Sequence, residues 1–124
     1  MSIQDDPPNQ TPGPPVQRLL QMVIGYRISQ AIYVAAKLGI ADQLKDGPKS
    51  SDELARTVGV NPDALYRVLR ALASAGVFAE VEDRRFALTP LAGLLQSNVP
   101  GSLRAATVFF GDDQNWRTWG ELLY

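Results

Sequence analysis

The stretch between Ser50 and Leu88 constrains the fold most tightly. In SSDELARTVG, Ser51 or Ser50 supplies an N-cap, and Asp52 and Glu53 occupy the first turn. Leu54, Ala55 and Val58 form the apolar face, and Gly59 ends the helix. NPDALYRVLRALASAG follows almost at once, with Asn61 as N-cap, Pro62 at the first helical position and Asp63 facing the positive end of the helix dipole. Leu65, Val68, Leu69 and Leu72 recur at helical spacing, and Gly76 stops the run. VFAEV and RFAL then alternate in period two about Glu82-Asp83-Arg84, as in a short hairpin. This reading puts Val77, Ala79 and Val81 on one face, opposed by Phe86 and Leu88. Two short helices joined by a tight turn, then a two-stranded ribbon, specify a winged helix-turn-helix over roughly residues 40–90.

Upstream, Val16–Leu38 reads as one long helix with too many apolar faces. Val16, Leu19, Leu20, Val23, Ile24, Ala31, Val34, Ala35 and Leu38 make one stripe. Met22, Tyr26 and Tyr33 lie off it, and Ile32 is nearly opposite; Gly25 is a candidate bend or break. Either the rest of the chain wraps this helix, or its second face is buried against another subunit. The candidate interface residues are Leu20, Ile24, Tyr26, Ile28, Ile32 and Tyr33. Gly39 closes the helix, and Ile40–Lys45 is a further short one, ended by Asp46-Gly47-Pro48. Residues 1–15 hold five of the nine prolines and little to bury, which predicts a disordered tail. Beyond the ribbon, Thr89-Pro90 caps a helix over Leu91–Leu95, and helices are expected over Ser102–Phe110 and Asp112–Tyr124. The expected fold is therefore mainly α: a winged helix-turn-helix flanked by a long N-terminal helix and C-terminal helices.

The chemistry open to this chain is narrow. It contains no Cys and no His, which removes thiol and imidazole nucleophile pairs, Ser–His–Asp triads and thiolate or imidazole metal sites. No catalytic, cofactor-binding or metal-ligating residue is assigned. Asp112-Asp113 read as the favourable start of a helix, since adjacent helical side chains diverge by about 100°. A stand-alone DNA-binding regulator is the rival reading, with Arg67 and Arg70 on the second helix and Arg84 and Arg85 at the wing tip. Over residues 45–85, however, seven basic residues are matched by seven acidic ones, and Asp63 is placed to pair with Arg67. Nucleic acid is therefore not an expected partner. The charges within Val16–Leu38 argue against a membrane span, and the N-terminus lacks a signal peptide, so a cytoplasmic protein is expected.

The strings AAKLGIADQL, SSDELARTVGV, LYRVLRALASAGVF and FALTPLAGLL resemble the N-terminal region of S-adenosylmethionine-dependent O-methyltransferases, of the plant caffeate and flavonoid type and the bacterial polyketide and hydroxyneurosporene type. The resemblance covers residues 16–124 and rests on Leu65, Arg67, Leu69, Arg70, Leu72, Gly76, Val77 and Phe78, followed by Leu88 and Thr89. Gly93 stands four residues after Thr89, a slight departure in spacing. The resemblance implies a dimerisation and winged-helix domain over residues 16–100, interlocked with a second copy. It further implies that residues 101–124 are a helical connector toward a Rossmann-like catalytic domain, supplied in cis or in trans. That domain binds S-adenosylmethionine and methylates a hydroxyl of a small acceptor. No Gly-rich loop following a strand occurs here, so this chain is expected to hold no cofactor and to be inactive alone. Phe109, Phe110, Trp116 and Trp119 become candidate acceptor-pocket or interdomain residues, against the simpler reading of core aromatics.

Overall fold

The computed structural model describes residues 13–122. The expected tail therefore lies almost wholly outside the described residues, as do Leu123 and Tyr124 of the last expected helix. The expected single helix Val16–Leu38 is two helices, α1 (Pro15–Val23) and α2 (Tyr26–Leu38). At Gly25 the ladder tightens: the Gly25 and Arg27 amides donate three residues back, to the Met22 and Ile24 carbonyls. With no side chain to favour the helical state, glycine is where such a rearrangement costs least. Gly39, at φ 71°, then ends α2 in the left-handed conformation and opens the short α3 (Ile40–Gln43).

The Ser50 side chain caps α4 (Ser51–Val58) within a complete capping box closed by Glu53. Asn61 caps α5 (Pro62–Ser74), accepting from the Ala64 amide. Leu65, Leu69 and Leu72 of α5 are buried with Ile40, Leu54, Phe78 and Phe86 in one core, on which α2 and α4 also pack. α5 ends at a left-handed Gly76, after which the Val77 amide donates to the Leu72 carbonyl.

Two expectations about the ribbon need correction. Lys49–Ser50 (β1) joins β2 (Phe78–Val81) and β3 (Arg85–Leu88), so the sheet is three-stranded and antiparallel, in the order β1-β3-β2. A two-residue edge strand has no alternation by which it could be recognised. The expected face assignment of β2 is also inverted. Phe78 pairs with Leu88 and Glu80 with Phe86, so Phe78 and Phe86 share the inner face. Val81 is exposed, while Val77 is buried in the turn ahead of the strand. Moving the strand start by one residue exchanges the two faces, because side chains alternate with period two. At the hairpin tip Asp83 and Arg84 both take the left-handed conformation.

Thr89 accepts from the Ala92 amide and donates to the Val77 carbonyl, seating α6 (Pro90–Gly93) beside the sheet. α7 (Arg104–Gly111) crosses α2, and α8 (Asp113–Gly120) follows with Asp112 as N-cap, as the sequence leads one to expect. Arg104 secures the crossing. Its guanidinium donates to the Ala36 carbonyl at 2.7 Å and to Ser97 Oγ at 3.1 Å, and Ser97 itself donates through both its amide and its hydroxyl to the Asp42 carboxylate. A cation over the last carbonyls of α2 also opposes the negative end of its dipole.

Two tests follow from this packing. A Cβ on Gly111 would stand 2.5 Å from the Tyr33 ring. Gly111→Ala should lose about 1–3 kcal/mol through overpacking, more than the roughly 1 kcal/mol that alanine gains as a helix former. Urea denaturation finding the variant as stable as wild type would contradict the close α2–α7 contact. The Ser97 hydroxyl, donating to Asp42, holds that carboxyl below its ordinary value of 3.8. Because the native value is depressed, the stabilisation is complete above the unfolded value and lost as pH falls through the native one. The stability advantage of wild type over Asp42→Asn should thus be present at pH 6 and shrink below about pH 4. An advantage that grew on acidification would remove this role for Asp42.

Candidate functional site

Three surface features stand out from the residues already placed. The first is α1, which buries none of its side chains. Val16, Leu19, Leu20 and Val23 lie at helical spacing, each more than half exposed. Among the candidate interface residues, Leu20 and Tyr26 are exposed, and Ile24 and Ile28 are half-buried. Ile32 packs partly against the core, and Tyr33 lies beneath Gly111, so α2 spends much of its second face within the protomer. The Nε2 of Gln30, also on α2, is buried without a hydrogen-bond partner among the described residues.

The second is the aromatic surface of α7 and α8. Phe109 and Phe110 contact each other edge to face and are largely exposed, as is Trp119; Trp116 is half-covered. Tyr26 meets Trp116 at 6.3 Å between ring centroids. The fold therefore brings a candidate interface residue and a candidate acceptor-pocket residue into contact, which their separation of 90 positions conceals. Between α2 and α7 lies an open depression of about 230 Å³, lined by Ser29, Ile32, Thr107, Phe110 and Gly111.

The third is the wing, where a DNA reader would hold its cations outward. Arg70 donates to the Tyr66 hydroxyl and pairs with Glu80 at 3.2 Å, while Tyr66 donates to Glu80 at 2.9 Å. The Tyr66 hydroxyl and then Glu80 raise the Arg70 guanidinium above its ordinary value. Arg84 stacks 3.9 Å over the Tyr66 ring, and Arg85 donates to the Glu82 carbonyl. The expected Asp63–Arg67 pair does not form; among the described residues ion pairs join Arg70 to Glu80 and Arg117 to Asp113.

Among the described residues no glycine-rich turn leads from a strand into a helix. Such a turn is the usual cradle of S-adenosylmethionine. Here the left-handed Gly39, Gly59 and Gly76 follow the ends of helices, and the strands lead instead into Ser50, the Asp83 turn and Thr89. No group of three or more His, Cys, Asp or Glu side chains among the described residues could hold a metal ion.

Several residues that organise these surfaces carry no local sequence signal. Asp42 and Ser97 are joined across 55 positions and Arg104 reaches Ala36 across 68, and Gly111 reads locally as an ordinary helix terminus.

The fold is shared with known proteins. The chain is 49% identical over 106 residues to the phenazine O-methyltransferase PhzM of Lysobacter antibioticus, covering 86% of this chain and 31% of that protein. It is 37% identical to the 8-amino-8-demethylriboflavin N,N-dimethyltransferase of Streptomyces davaonensis, with the same coverage of both chains. The fold superposes on the crystal structure of LaPhzM with a TM-score of 0.85 at 48% identity, over 90% of this chain and 33% of that one. The chain thus spans about a third of the length of these relatives. The O-methyltransferase dimerisation domain matches residues 20–98, and with that match and these relatives the chain belongs to the O-methyltransferase dimerisation domain family.

Proposed function

We propose that this chain is the homodimerising base of an S-adenosylmethionine-dependent methyltransferase, and that its C-terminal helices face the acceptor or the catalytic part of the enzyme. The observation that carries the dimer reading is α1. An isolated helix shorter than about 12–15 residues is marginal in water, and this nine-residue helix has no buried side chain of its own. In this reading a second copy covers its aliphatic stripe. Leu20, Ile24, Tyr26 and Ile28 supply the main contact, with Ile32 and Tyr33 at its margin.

Phe109, Phe110, Trp116 and Trp119 form the acceptor-facing or interdomain surface. Phenazine and riboflavin, which appear in the names of the relatives, have fused planar rings, and exposed aromatic side chains suit such rings through offset stacking. Cofactor binding and proton abstraction are assigned to a catalytic domain in cis or in trans, since residues 13–122 suit neither task. Duplex DNA is not a partner in this reading: of the four candidate cations Arg70, Arg84 and Arg85 have partners within the protein, which leaves Arg67 exposed on α5. A cytoplasmic location completes it, and no helix among the described residues is long and apolar enough to cross a membrane.

Analytical ultracentrifugation at micromolar concentration should find a dimer, with Leu20→Asp weakening association at least tenfold, since removing one buried leucine costs about 1.5–3 kcal/mol. A wild-type monomer would refute the assembly. Isothermal titration of the chain with S-adenosylmethionine should give no saturable heat. A micromolar binding isotherm would overturn the assignment of the cofactor to another domain.

A further inference from the structure

A larger depression, of about 510 Å³, opens where the last turn of α2 meets the start of α7. It is lined by Lys37, Ser97, Ser102, Arg104, Ala105 and Val108, and shares none of these with the depression beside Phe110 and Gly111. Its volume is in the range of small-molecule sites. The lining holds two cations and no carboxylate, in a chain whose net charge is -1. We propose that this depression binds a small organic anion, a carboxylate carried on an apolar body. The inference is independent of the dimer reading above.

The hydrogen-bond inventory selects the charge of the ligand. The Ser97 hydroxyl donates to Asp42 and the Ser102 hydroxyl to the Gln96 carbonyl, while both accept from Arg104. Neither hydroxyl has a proton left to offer, so recognition falls to the two cations. Lys37 is exposed, and its ammonium has no hydrogen bond or ion pair among the described residues. The Arg104 guanidinium is held by the Ala36 and Lys37 carbonyls and by Ser97 Oγ. It carries more N–H donors than these contacts use, and a side chain already fixed loses little entropy on binding. The carbonyls that would oppose an anion at this end of α2 are thereby covered. Asp42 does not line the depression. It lies in a neighbouring one with Lys45, which stands near enough to offset its charge. Ala105 and Val108 select the body of the ligand. A hydrated inorganic anion would leave these apolar side chains uncovered, whereas a carboxylate on a ring or aliphatic chain covers them and still reaches the cations.

Titration of the isotope-labelled chain with benzoate, followed through its amide NMR spectrum, tests the site. Amides of residues 97–108 should shift saturably at millimolar benzoate. Uncharged benzamide should leave them in place, and inorganic phosphate should bind several-fold more weakly than benzoate. Lys37→Gln changes an exposed side chain and should weaken benzoate several-fold. Ala105→Glu, also at an exposed position, puts a carboxylate into the wall and should abolish binding. Arg104 is not varied, because it also fastens α7 to α2. Benzamide binding as well as benzoate would overturn the anionic ligand, and phosphate binding as tightly would overturn the apolar body. The site itself is overturned by the absence of a saturable shift, by shifts confined to the aromatic surface of α7 and α8, or by an affinity unchanged in either variant.

Discussion

Burial of the inner face of α5 is the interaction on which the protomer depends. Leu65, Leu69 and Leu72 are almost completely removed from water, and α2, α4 and β2 are all laid against this helix. Side chains of this kind are each worth about 1.5–3 kcal/mol when fully buried. Most polar contacts among the described residues sit near the surface, where ion pairs contribute little. The polar contacts decide where each element attaches; the leucine face decides that there is something to attach to.

The same division holds in the wing. Arg70 on α5 and Arg84 and Arg85 at the hairpin tip meet partners within the protein, while Arg67 on α5 is exposed. Tyr66 stands at the centre, donating to Glu80, accepting from Arg70 and carrying Arg84 over its ring. A surface whose guanidinium groups face its own carboxylate and aromatic ring has less positive charge to offer a phosphate backbone. The exposed apolar area has meanwhile shifted to the two ends of the described chain, α1 and α7–α8, where it invites protein or aromatic partners.

The same two ends are tied together through α2. Tyr26 touches Trp116 near its start, Tyr33 closes against Gly111 midway, and Arg104 covers its final carbonyls. The surface proposed for assembly and the surface proposed to face the acceptor therefore share one helix as their frame. Whatever displaces α2 displaces both.

Much of this was legible in local chemistry. The Ser50 and Asn61 caps, the left-handed Gly39, Gly59 and Gly76, the leucine period of α5 and the Asp112 cap each depend on neighbours within a turn or two, so residue type and spacing suffice. The exposure of α1 was visible as an excess of apolar residues, although its separation from α2 at Gly25 was only hinted at. What failed was whatever depends on register or distance. The inner face of β2 turned on where the strand begins after Gly76, and the hydrogen bond from the Val77 amide to Leu72 decides that. β1 is a strand only because β3 runs alongside it. The Asp42–Ser97–Arg104 chain and the Tyr33–Gly111 contact join residues that packing alone makes neighbours. Sequence by itself determined the elements, because caps and periodicity act over a few residues; only the tertiary structure decided which faces meet, because burial is settled between elements.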